Sequence, residues 1–332
     1  MPRAGQFCHE LSGQRRRRYP SLTIERRDKA YLIGFLLGAG LLLFLGRDLL
    51  GGSVLVTWGL TFGGTMAVVV LMASLYRVRL ELQASRHELA IKEAELGFAG
   101  EVQRALFPRQ LPSRAGLEFA AICLPARGIS GDYYDVLQLP DGRLIFAVAD
   151  ISGKGISAAI LMANLQAVLR LVAETSQSPR EVCARLNYHL YQVTDPARFA
   201  TFFYAEWQPA ERRLSYINAG HLPPVLLGSR RGQRLDQGGL PLGILGQSDY
   251  QAGHVPLESG DMLALYSDGI TEATSSNGEE FGEDRLTTLI ESHCREPLAE
   301  VQRRVLQAVR DWSGKEPEDD MTLLLVRATG SS

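Results

Sequence analysis

Cysteine is sparse in this chain. The four, Cys8, Cys123, Cys183 and Cys294, are scattered without a CxxC pair, which excludes a zinc ribbon and a disulfide framework and fits a reducing compartment. Charge is nearly balanced, at a net −2, so composition gives no reason to expect nucleic-acid binding. No internal repeat is visible, and proline is missing from Leu75 to Phe107. What is present is unevenly distributed. Arg15, Arg16, Arg17, Arg18, Arg26, Arg27 and Lys29 crowd the N-terminus, and an apolar run follows directly.

Two charge-free stretches, 30–46 and 54–76, read as a transmembrane hairpin. The first is short against the usual span of about 20 residues and the second is long enough. Tyr31, Trp58 and Tyr76 stand near their ends, and Arg77 and Arg79 follow the second. By the positive-inside rule, both termini are expected in the cytoplasm. A cleaved signal peptide, even a twin-arginine one at Arg26-Arg27, is the rival for the first stretch. It is disfavoured because a second span follows at once and no small-residue cleavage site does.

From Leu75 onward, Leu75, Val78, Leu82, Ser85, Leu89, Lys92, Leu96 and Ala99 alternate at three and four. This is a seam of weak heptads, read either as a parallel dimeric coiled coil or as one amphipathic helix lying on the next domain. Ser85-Arg86-His87-Glu88-Leu89 is superficially similar to the phosphoacceptor box of sensor histidine kinases, but no Arg-Thr-Pro and no glycine-rich ATP lid follow it. The expected layout is a basic tail at 1–29, two spans within 30–76, a helical linker at 77–107 and a catalytic domain at 108–328.

That domain is organised around Gly131 to Gly155, GDYYDVLQLPDGRLIFAVADISGKG. Tyr133 to Gln138 and Arg143 to Ala149 read as strands joined at Pro140-Asp141-Gly142. Antiparallel pairing then brings Asp132 and Asp150 to one edge. Two carboxylates about 4 Å apart repel by roughly 4 kcal/mol at an effective dielectric near 20, so the pair calls for a proton or a cation. Further strands are expected at 117–123, 201–207, 213–219, 225–227, 262–266 and 322–327, and helices at 157–172, 179–193, 285–293 and 298–312. Strands in hairpin groups and helices in pairs favour an α+β fold of antiparallel sheets flanked by helices.

Asp268 and Asp319 repeat the pattern of an acid at a strand end beside a glycine or second acid. Four such sites with no suitably spaced histidine or cysteine point to oxygen ligation of a hard ion, Mg²⁺ or Mn²⁺, as a pair about 3.5–4 Å apart. The chemistry this suits is hydrolysis of a phosphate ester. Arg127 is a candidate for the substrate phosphate or an exposed loop arginine, and Lys154 is a similar candidate. Asp320 either binds metal or supports the last turn. His221 is read as structural, and Tyr133 and Tyr134 as packing.

Residues 101–328 resemble the bacterial metal-dependent serine/threonine phosphatases of the PPM (PP2C-like) superfamily, in the branch of the sporulation phosphatase and the regulators of sigma-factor partner switching. The matching stretches, in family order, are Val102-Gln103-Arg104-Ala105-Leu106-Phe107-Pro108, GDYYD from Gly131, DISGKG from Asp150, NAGH from Asn218, GLPLG from Gly239, YSDG from Tyr266 and DDMT from Asp319. Ser130 departs from the family, standing where a first glycine is usual. The resemblance implies an αββα sandwich and two Mn²⁺ or Mg²⁺ ions held by Asp132, Asp150, Asp268 and Asp319 with the Ile151 carbonyl. It also implies in-line attack on phosphorus by a metal-activated water, with no covalent enzyme intermediate. The substrate it suggests is a phosphorylated STAS-domain anti-sigma-factor antagonist, and the setting a bacterial cytoplasmic (inner) membrane with a homodimer formed through the linker helix. A catalytically silent membrane scaffold and a diguanylate cyclase are the alternatives. The second lacks the Glu-Phe ending of its signature and leaves Asp268 and Asp319 without a role.

Overall fold

A computed structural model describes residues 54–112, 116–195, 197–228 and 232–330, with isolated helical positions at 34–35, 38–41 and 44. Most of the first expected span therefore lies outside the described residues. The chain divides into two compact units, Met1–Leu89 and Ala90–Ser332. Helix α1 (Val54–Arg104) carries the second apolar stretch, along which Trp58, Leu60, Phe62, Met66 and Leu71 are exposed. A surface of that kind is suited to lipid or to another apolar face rather than to water.

In the second unit the order is β1 (Leu117–Leu124), β2 (Tyr133–Gln138), β3 (Leu144–Ile151), α2 (Ile156–Thr175), α3 (Pro179–Val193), β4 (Ala200–Gln208), β5 (Arg213–Ala219), β6 (Val225–Leu227), β7 (Gln233–Arg234), β8 (Gly238–Gly239), β9 (Gly253–Pro256), β10 (Met262–Tyr266), α4 (Asp268–Thr271), α5 (Glu283–Ser292), α6 (Leu298–Ser313) and β11 (Met321–Ala328). One sheet runs β1-β11-β10-β6-β7 and the other β2-β3-β4-β5-β8, with β9 also on β5.

Period-two alternation builds the layers. On β3, Phe146 and Val148 join Phe119, Phe203, Trp207, Leu265 and Leu324 between the sheets. Ile145, Ala147 and Ala149 face the other way, toward Leu165 and Leu169 of α2 and Leu186 of α3. Across the first sheet, Ala264, Leu323 and Leu325 pack on Leu286, Ile290, Val301 and Val305 of α5 and α6. The result is the expected αββα sandwich. Helix α2 is apolar enough in length and composition to cross a membrane, yet Leu161, Met162, Leu165 and Leu169 are buried in this core, so it is a core helix.

Local signals place the boundaries. Ser178 caps α3 by accepting the Glu181 N–H at 3.3 Å, and Pro179 opens the helix, where its missing N–H costs nothing. Between named strands the pairing is antiparallel except for β5 with β8, where Asn218 and Ala219 run parallel to Gly238 and Gly239. Glycine is required there, because a Cβ on Gly238 would stand 1.9 Å from the Asn218 carbonyl oxygen. Strands β7, β8 and β9, of two to four residues, are too short to show a period in sequence.

Candidate metal centre

Register brings the first two acids together. Tyr133 pairs with Ala149, and the same register carried one residue outward sets Asp132 against Asp150. Asp132 is 2% exposed, and its Oδ2 has no hydrogen-bond partner. Burial, and then the charge of Asp150, hold its carboxyl well above the usual carboxylate range. The Ser267 and Thr322 hydroxyls temper that shift without closing a hydrogen bond on Oδ2. Asp150 is pushed up to about 6 by burial and then by Asp268, Asp319 and Asp320, while Lys154 acts in the other direction. Asp268 is raised by burial and by Asp319. Elevated carboxyls around an orphaned buried oxygen are an environment short of positive charge.

The backbone around these acids is crowded. A Cβ on Gly131 would stand 3.2 Å from the Ile151 carbonyl oxygen, so Gly131 lets that carbonyl approach the loop before Asp132. A Cβ on Gly269 would stand 2.1 Å from the Asp320 carbonyl oxygen, which explains the glycine of YSDG by close packing of α4 on the turn before β11.

The two acids of DDMT have different surroundings. Asp319 Oδ2 accepts from Lys154 Nζ at 2.6 Å. Asp320 turns inward and binds a loop: Oδ1 accepts the Ala126 N–H, and Oδ2 accepts the Ser130 hydroxyl and the Gly131 N–H, all at 2.8 Å. Asp320 thus supports the Ala126–Gly131 loop, not the last turn that the sequence reading offered. Arg127, Asp150, Lys154, Asp319 and Asp320 line one small cleft. Among the described residues no three Asp, Glu, His or Cys side chains converge tightly enough to enclose an ion. The donor set, all oxygen and with only Asp319 paired to a cation, nonetheless fits hard divalent cations.

His221 is buried and pins a turn. Its N–H reaches Asn218 Oδ1 at 2.8 Å, its Nδ1 pairs with Thr201 Oγ1 at 2.9 Å, and burial pushes its pKa down to about 4. Gly220 (φ 71°) packs where a Cβ would meet Pro241 at 2.5 Å, so NAGH and GLPLG form one structural joint. Tyr133 and Tyr134 pack against Phe107, with ring centroids 6.3 and 5.0 Å away.

Three partners escaped the sequence reading. Gln103, near the end of α1, is buried and bonds to Ser130. Asp135 is 1% exposed, accepts from Arg170 at 2.9 and 3.2 Å and takes the Tyr133 hydroxyl at 2.6 Å. Arg170 is the only charged side chain in α2 before Glu174, a signal that could have indicated an inward partner.

A family model described as stage II sporulation protein E (SpoIIE) matches residues 140–329. The chain is 33% identical over 237 residues to phosphoserine phosphatase RsbU of Bacillus subtilis, covering 71% of this chain and 70% of that protein. It is 28% identical over 205 residues to phosphoserine phosphatase RsbP of the same organism, covering 60% of this chain and about half (49%) of that protein. The solved SiaA-PP2C domain of Pseudomonas aeruginosa superposes with a TM-score of 0.63 at 23% identity, covering 70% of this chain and 96% of that one, which speaks to the fold.

Proposed function

Because this chain belongs to the SpoIIE family of PP2C-type serine phosphatases, we propose that it is a membrane-anchored, metal-dependent phosphatase acting on a phosphoserine or phosphothreonine of a STAS-domain anti-sigma-factor antagonist. The observation that carries the metal reading is the buried, unpartnered Asp132 Oδ2, beside Asp150 and Asp268, whose carboxyls are raised by burial and then by neighbouring acids.

Asp132, Asp150, Asp268 and Asp319, with the Ile151 carbonyl, are the residues that would hold two Mn²⁺ or Mg²⁺ ions. When bound, such ions neutralise charge on a phosphate ester and make water a competent nucleophile near neutral pH. The chain's own part is positional. Asp320 fixes the Ala126–Gly131 loop, and that loop carries Arg127 to the cleft that Lys154 also lines. Two cations there suit a dianionic phosphate monoester. Removal of Asp320 would release Arg127 and Asp132 together.

The stretches 30–46 and 54–76 would anchor the protein in the bacterial cytoplasmic membrane with both termini inside. The seam of α1, where Leu75, Val78, Leu82 and Leu89 are exposed, supports a parallel homodimer. A change in that helix would reach the acids through its last turns. RsbU and RsbP are named phosphoserine phosphatases, and the substrate proposal extends from them by family resemblance.

The test is Mn²⁺-dependent phosphate release from a phosphoserine STAS protein by the full chain in detergent, with Asp268→Ala as control. Activity lost on chelation and in the control supports the proposal. A wild-type protein that binds the partner but never turns it over overturns it in favour of the silent scaffold.

A further inference from the structure

Lys154 lies between two glycines in the left-handed region, Gly153 at φ 98° and Gly155 at φ 78°. Neither has an atom within 4 Å of where its Cβ would stand. Close packing therefore does not demand them; the positive φ on both sides of the lysine does, a conformation other residues rarely adopt. Its Nζ rests 2.6 Å from Asp319 Oδ2, with both side chains about half exposed. Arg127 lines the same cleft and repels the ammonium, so the lysine is drawn toward the acids and away from that arginine. A cation supplied by the chain itself thus already sits on one of the four carboxylates, at the end of a long, half-exposed side chain. A half-exposed ion pair of this kind is weak, and a divalent ion competing for the same oxygen can displace it.

We propose that Lys154 is a surrogate cation for the metal centre: it neutralises Asp319 in the metal-free protein, yields that carboxylate to an entering divalent ion, and turns to the phosphate of the incoming monoester. The inference rests on the metal-centre reading above and deepens it, coupling metal occupancy to phosphate binding. No covalent bond changes. One ammonium exchanges a carboxylate partner for a phosphate partner, so one of the four acids, Asp319, is already neutralised in the metal-free protein, and the phosphate subsite is completed only once metal is present.

The experiment is calorimetric titration of Mn²⁺ into metal-free full chain in detergent, for wild type, Lys154→Gln and Lys315→Gln. Lys315 is the charge control: it lines a cavity together with Lys154 and Asp319, but its ion pair is with Glu318, at 2.6 Å, and not with one of the four acids. Lys154→Gln is expected to bind Mn²⁺ about three- to five-fold more tightly, the scale of a partly exposed ion pair, with Lys315→Gln changed by less than about two-fold. Inorganic phosphate, titrated at saturating Mn²⁺, is expected to bind wild type more tightly than Lys154→Gln by about five-fold or more. Equal Mn²⁺ affinity in wild type and Lys154→Gln overturns the displacement. Equal tightening in the two variants reduces it to net charge, and phosphate affinity unchanged in Lys154→Gln removes the second half. Failure of wild type itself to bind Mn²⁺ defeats the metal-centre reading, an outcome visible without any variant.

Discussion

Gln103 and Ser130 exchange two hydrogen bonds: the glutamine side chain donates to the Ser130 carbonyl at 2.6 Å and accepts the Ser130 N–H at 2.8 Å. Both residues are buried. The Ser130 hydroxyl in turn accepts the Asp132 N–H at 3.0 Å and donates to Asp320 at 2.8 Å. One serine therefore joins the end of α1 to the backbone of the first acid. Gly100, one turn earlier, allows the contact, since a Cβ there would stand 2.2 Å from the Gly128 carbonyl oxygen.

Replacing Gln103 with Leu keeps the bulk and leaves a buried N–H and C=O of Ser130 unpaired. The expected cost is about 1–3 kcal/mol per group, read as a lower denaturation midpoint in urea. Phosphatase activity per folded molecule should fall as well, because Ser130 also orders Asp132. Full activity in the folded fraction would show that the helix end serves stability alone.

Asp132→Asn replaces a buried carboxyl whose Oδ2 lacks a hydrogen-bond partner and whose charged form is disfavoured by burial and by Asp150. Without metal the variant should be at least as stable as wild type, and by up to about 1–3 kcal/mol more so. Added Mn²⁺ should raise the melting temperature of wild type and leave that of the variant unchanged. Thermal unfolding with and without Mn²⁺ checks both halves.

The neighbours Asp319 and Asp320 should separate cleanly. Asp320→Ala strips partners from the Ala126 and Gly131 N–H groups and from Ser130, for an expected loss of several kcal/mol at about 1–3 per unpaired group. Asp319→Ala, whose half-exposed pair with Lys154 contributes little, should keep its stability and lose Mn²⁺ binding. Equal destabilisation by the two would contradict the division of labour.

His221 sets a pH dependence. Its folded pKa near 4 lies below the ordinary 6.5, so as pH falls the unfolded chain takes up the proton first. Stability from this group is complete above about pH 6.5 and declines toward pH 4, by roughly 3 kcal/mol in all. The acid cluster acts in the opposite sense, since Asp150 keeps its proton up to about 6 when folded. The His221 share is therefore read as the difference between wild type and His221→Asn in urea titrations at pH 7 and pH 4.5. Parallel losses in the two proteins would dismiss it.

Much of this protein follows from its sequence because the causes are local. Alternation within Tyr133–Gln138, the Pro140-Asp141-Gly142 turn and the acids flanking the hairpin put Asp132 and Asp150 each one residue beyond the observed Tyr133–Ala149 pair. Ser178 and Pro179 locate the start of α3 for the same reason. The paired grouping of strands and helices led to antiparallel sheets flanked by helices, the family resemblance supplied the αββα stacking, and only the two-residue parallel pair of β8 with β5 departs from antiparallel pairing between the named strands. Tertiary structure decided which groups meet across long stretches of chain. Asp319 and Asp320 are chemically identical and adjacent, yet one meets Lys154, 165 residues away, and the other meets Ser130, 190 residues away. Gln103 looks like any polar residue on a charged helix until packing buries it against Ser130. Such partners have no period, cap or turn to announce them, because an ion pair or buried hydrogen bond is specified by where two distant backbones come to lie.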